Sequence, residues 1–192
     1  MAADIVQLQN HLGIASSTVL GHSLGGKVAM QLALSDAARV EKLIVADIAP
    51  VAYAAHHQAV FAALESIDLA VLQSRQQADE QMARLLDDAG LRQFLLKALY
   101  RDGQQFRWRF NLSGLRACYG TVLASPQGKP FWGPTLFIKG EQSDYIKPEH
   151  EQTMRLLFPQ FQFKMIAGAG HWLHGEKPVA FNRLVQQFLA TD

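Results

Sequence analysis

Gly21-His22-Ser23-Leu24-Gly25 sets one hydroxyl between two glycines in the pattern G-x-S-x-G. The residues before it, Ser17-Thr18-Val19-Leu20, read as a short buried strand, and Val28, Met30, Leu32 and Leu34 after it recur at helical spacing. A strand-to-helix turn of this kind can present a nucleophile. Flanking glycines remove Cβ atoms that would strike neighbouring chain, and a helix N-terminus favours developing negative charge. The plainer alternative is a glycine-rich turn with an idle serine.

A hydroxyl is a weak nucleophile until a base takes its proton. Of seven histidines, His171 has the right surroundings, since Gly168-Ala169-Gly170-His171-Trp172 directly follows an apolar run. Small residues there let a loop bend over the carboxyl edge of a parallel sheet, where such sheets keep their sites. His174 is the near competitor. The pair lacks a third ligand at matching spacing, so no metal site is expected. His22 is expected to pack behind the serine, and His56, His57 and His150 to lie on solvated faces.

The pair also needs a carboxylate to orient the imidazole and stabilise imidazolium. Asp47 ends Val45-Ala46-Asp47-Ile48-Ala49-Pro50, and Asp144 closes Gly140-Glu141-Gln142-Ser143-Asp144. Each follows an apolar run and would stand on the same sheet edge. Both aspartates fit that position equally well, and the one not used is a turn-forming residue.

The elements that must position these groups alternate. Ile5, Leu8 and Leu12 form an amphipathic helix stopped at Gly13, and apolar runs at 43–46, 136–138 and 161–166 read as strands. Pro148 and Pro178 start helices, the last striped by Phe181, Leu184, Val185, Phe188 and Leu189. Strand alternating with helix predicts an α/β fold with a mostly parallel sheet. Between the second and third strands the chain changes character. Positions 54–100 read as short helices, Phe106, Trp108 and Phe110 alternate like a strand, and 113–123 turns helical again. So long an insertion is expected to be a helical cap at 51–129 on a core at 1–50 and 130–192.

Composition narrows the class. The 192 residues are 49% hydrophobic with a formal net charge of +1, and no basic block suits a nucleic-acid partner. No run approaches a membrane span, and the first residues carry no leader pattern. Cys118 stands alone, expected as a small buried hydrophobe, which fits a reducing, cytoplasmic location.

G-H-S-L-G-G-K-V-A-M, D-I-A-P-V-A-Y and A-G-A-G-H-W-L-H together resemble the YbfF-type esterases of the α/β-hydrolase superfamily, over essentially all of the chain. The resemblance implies hydrolysis of short acyl esters or acyl thioesters without a cofactor. Ser23 would be the nucleophile, His171 the base, and the Leu24 N–H one oxyanion-hole donor. It also implies Asp47 as the acid, because that family carries it within D-I-A-P-V. Most other α/β-hydrolases place it in a later G-x-x-D pattern, where this chain has Ser143 and Asp144 falls one residue late. Matching begins just before strand five of eight, so the resemblance implies a partial sheet of strands five to eight. Such a sheet exposes an edge through which copies could self-associate. Two other readings follow: an inactive truncated fragment or pseudoenzyme, and another reaction on this frame, such as carbon–carbon bond hydrolysis or haloperoxidation. Dehalogenation would need a carboxylate in place of Ser23.

Overall fold

The computed structural model describes residues 1–191. Two units divide the chain. Met1–Ala52 together with the chain from Ala124 onward forms the first, and Tyr53–Leu123 the second.

The first unit holds four parallel strands in the order β1-β2-β5-β6: β1 (Ser17–His22), β2 (Val40–Ala46), β5 (Thr135–Gly140) and β6 (Phe161–Ile166). Helices α1 (Ala2–His11) and α2 (Leu24–Ser35) precede and follow β1, α8 (Glu151–Leu157) joins β5 to β6, and α9 (Leu173–Glu176) and α10 (Pro178–Leu189) close the chain. Leu43, Ile44, Val45, Leu136, Phe137 and Ile138 are buried because β2 and β5 are the two inner strands. That is why their sequences are continuously apolar rather than alternating. One core cluster packs these strands against Ile166, Leu173, Phe181 and Phe188, with Leu184 and Val185 half-buried beside it. Leu189, expected in the stripe of α10, is exposed.

The edges behave differently. β1 pairs only with β2 among the described residues, and Leu20 is 44% exposed. Leu8 and Leu12, expected as the inner face of α1, are exposed as well. The buried side chain of α1 is Gln9, whose Nε2 donates to Ser17 Oγ at 3.0 Å and to Arg39 O at 3.0 Å. An apolar stripe is buried only where something packs on it, and α1 lies beside the sheet's open edge.

The second unit contains α3 (Gln58–Glu65), α4 (Arg75–Met82), α5 (Ala89–Leu96), the hairpin β3 (Leu99–Asp102) and β4 (Gln105–Trp108), α6 (Leu112–Ala117) and α7 (Tyr119–Leu123). Its own core gathers Leu64, Met82, Leu96, Leu99 and Phe106. β3, Leu-Tyr-Arg-Asp, carries no apolar–polar alternation. It forms because Asp102 and Gln105 bracket a turn with Gly103 at φ +60°, which folds β4 back onto it. Phe61 and Phe106 belong to the core while Phe94 is exposed, and Cys118, expected buried, is exposed.

Residues 124–129 join the first unit because hydrogen bonds tie them there. Lys27 Nζ donates to Ala124 O at 2.7 Å, Ser125 Oγ to Pro50 O at 2.8 Å, and Gln31 exchanges two bonds with Gln127. Burial pushes the Lys27 ammonium down to about 8.

Candidate active site

β1 ends at His22, in register with Ala46 of β2, which is itself in register with Ile138 of β5. The ladder continues one step past each strand. Ser23 N donates to Ala46 O at 3.0 Å, and Asp47 N donates to Ile138 O at 2.8 Å. Ser23 and Asp47 are therefore the first residues beyond neighbouring strands, side by side on the carboxyl edge.

Both turn there with φ of +53°, the left-handed region that non-glycine residues rarely occupy. Such strain persists where the surroundings over-determine it. At Ser23 the constraint is the close packing of turn on helix. A Cβ at Gly21 would sit 2.2 Å from Gly25 O, and one at Gly26 would sit 2.6 Å from Ile48 Cγ2. The glycines that the turn requires are thus Gly21 and Gly26. A Cβ at Gly25 would meet open space.

Asp47 is fully buried, so its carboxylate must be paired. Oδ1 accepts from Gly140 N at 2.9 Å. Oδ2 accepts from the Ser143 hydroxyl and from His171 Nδ1, the latter at 2.7 Å. A carboxylate accepts, so Nδ1 carries the ring proton and Nε2 keeps its lone pair. That Nε2 lies 3.1 Å from Ser23 Oγ, which donates to it. The His171 ring is stacked on Tyr145, with centroids 4.1 Å apart, and its side chain remains 20% exposed. The arrangement can move a proton from a hydroxyl to an imidazole held in one tautomer.

The other sequence candidates fall elsewhere. Asp144 is exposed, and its neighbour Ser143 turns inward to Asp47. His174 is exposed, with its ring edge-on to His22 at 4.5 Å. Leu24 opens α2, where the first N–H groups have no partner within the helix. Among the described residues no group of three His, Cys, Asp or Glu is placed to hold a metal ion, and no helix is long and apolar enough to cross a membrane. Ser143 and Tyr145 join the site through contacts that their sequence positions do not announce. Ser143 had left a trace, occupying the offset where an acid is usual. Tyr145 left none.

His171 reaches Ser23 because the chain after β6 crosses the end of β5 closely. A Cβ at Gly140 would sit 2.1 Å from Gly170 O and 2.8 Å from Ala169 O, both backbone atoms. Gly140→Ala is expected to destabilise the fold by about 1–3 kcal/mol, read as a drop of several degrees in Tm. An unchanged melting curve would contradict so close a crossing.

Comparison with known proteins places the fold. A family model described as alpha/beta hydrolase fold matches residues 1–178. The chain is 40% identical over 197 residues to the Mus musculus protein named sn-1-specific diacylglycerol lipase ABHD11, covering 99% of this chain and 64% of that one. With Esterase YbfF of Escherichia coli K12 the identity is 38% over 190 residues, covering 98% and 73%. A solved structure described as a marine microorganism esterase superposes with a TM-score of 0.92 at 35% identity, covering 97% and 75%. The chain thus spans somewhat under two thirds of the mouse protein and about three quarters of the other two.

Proposed function

The chain belongs to the alpha/beta hydrolase fold family, and from that premise we propose that it is a serine hydrolase of short acyl esters or acyl thioesters. The observation that carries the reading is the continuous hydrogen-bond path from Ser23 Oγ through His171 to buried Asp47. Similarity to proteins named esterase and lipase supports the same reaction class.

Ser23 Oγ attacks the acyl carbon while its proton passes to His171 Nε2. Asp47 keeps hold of Nδ1–H and faces the positive charge that the imidazole acquires. The Leu24 N–H donates to the oxygen on which negative charge develops. Collapse breaks the bond to the alkoxide or thiolate, which leaves with the proton from Nε2. Water then repeats the sequence on the acyl-enzyme, releasing the acid and restoring Ser23. The parallel order β1-β2-β5-β6 supports numbering these strands five to eight of the eight-strand frame. The same reading gives the 53–123 unit the part of a cap.

A fluorophosphonate probe tests the proposal, because labelling requires an activated serine. Stoichiometric labelling of Ser23 is expected, and an unlabelled folded protein would refute it. Turnover of p-nitrophenyl esters against acyl-CoA esters then separates oxygen from sulfur leaving groups.

A second reading, residues in place with little turnover, is favoured by one observation: the strand that carries Ser23 is an edge with a single partner among the described residues. An apolar edge with unpaired N–H and C=O groups is a template for association. The 192-residue chain is accordingly expected to elute from size exclusion larger than 21.3 kDa, with Leu20→Lys shifting it toward monomer. A monodisperse wild-type monomer would remove the edge as an association surface.

A further inference from the structure

β1 and β6 are the two outer strands of the sheet. Three strand spacings of about 4.8 Å put them roughly 14 Å apart. The loop that carries His171 leaves β6, yet its imidazole meets Ser23 at the end of β1. It therefore has to be held all the way across.

Most of its ties come from its own side. Glu141 Oε2 accepts from Gly168 N at 2.7 Å, and Gln142 N donates to Ala169 O at 2.9 Å. Glu176 grips both neighbours of the histidine, accepting from Gly170 N at 2.7 Å and from Trp172 N at 3.2 Å. The tie from the nucleophile's own strand is different. His22, the residue before Ser23, donates from Nε2 to the backbone oxygen of His171 at 2.8 Å.

We infer that His22 is a positioning residue, locking the backbone of the His171 loop at its far end so that one side chain fixes nucleophile and base relative to each other. The inference rests on the hydrolase reading above. A carbonyl can only accept, so His22 is the tautomer with hydrogen on Nε2. Its ring is wedged among three others, with centroids 4.7 Å from His171, 5.3 Å from Trp172 and 4.5 Å from His174. Burial, with further pressure from His171 and His174, pushes its pKa down to about 4 despite the bond to the His171 carbonyl and the charge of Asp47. A neutral ring suits this place. During acyl transfer His171 becomes imidazolium, and a second positive charge beside it would oppose that step.

The test compares the wild type, His22→Phe, which keeps a ring and loses the donor, and His22→Gln, whose amide reaches the former Nε2 position. Fluorophosphonate inactivation is followed as a rate constant and a binding constant. The rate constant of His22→Phe is expected to fall at least about tenfold, since an ångström of misplacement is worth up to about a hundredfold. The binding constant should stay put, and His22→Gln should return the rate to within about threefold of wild type. A wild-type rate in His22→Phe, or no recovery in His22→Gln, would overturn the inference. If His22→Phe does not fold, His22→Ala is held to the same criteria. Should wild-type Ser23 fail to label at all, the hydrolase reading falls. Amide hydrogen exchange over residues 168–172 then decides the tie alone: faster exchange in the donor-less variant upholds it, and unchanged exchange overturns it.

Discussion

Ser23→Ala is expected to lower kcat for a p-nitrophenyl ester by at least on the order of a thousandfold while leaving Tm nearly unchanged. The proposed reaction passes through a bond to Ser23 Oγ, and alanine offers no atom to replace it. Stability should be kept because alanine meets the same φ of +53° and the same backbone bond to Ala46 O. His171 also keeps its hold on Asp47 and its stack on Tyr145. Residual hydrolysis near the wild-type rate would remove Ser23 from the mechanism, and a large fall in Tm would show that the variant had lost more than a hydroxyl.

Much of this was legible because two physical causes, burial and close approach, are written into the sequence. Strands buried on both faces must be continuously apolar, so 43–46 and 136–138 could be read directly. A turn whose backbone passes within 2.2 Å of a Cβ position must be glycine, so Gly21 announced the elbow. What stayed hidden depends on side chains that meet only in the fold. Ser143 and Tyr145 approach Asp47 and His171 from another strand's loop, and neither has a spacing that announces the contact. The first helix misled for a related reason: its stripe of Leu8 and Leu12 speaks of a partner surface, while beside this open edge both are exposed. β3 escaped because a four-residue strand of Leu, Tyr, Arg and Asp is made by its turn and not by its pattern.

The sharper contest lies between the two aspartates. Asp47→Asn is expected to reduce kcat by roughly ten-thousandfold, the loss that follows when an orienting acid is made an amide in a Ser-His-Asp enzyme. The hydrogen bonds around residue 47 dictate which way the amide faces. The Oδ1 position accepts from Gly140 N at 2.9 Å, so an amide nitrogen there would set donor against donor. The amide oxygen must therefore take that side, and its nitrogen falls where Oδ2 stood, facing His171 Nδ1 and the Ser143 hydroxyl. Ser143 can rotate to accept. His171 cannot adapt so freely: Nδ1 becomes the acceptor, the ring proton moves to Nε2, and the nitrogen beside Ser23 can no longer take its proton. The fold should survive, since asparagine tolerates the left-handed backbone better than most residues. Asp144→Asn, on an exposed side chain beside Ser143, should leave kcat within about threefold of wild type. Steady-state rates of the two variants on one ester decide the matter, and a larger loss at Asp144 would give the acid's role to it instead.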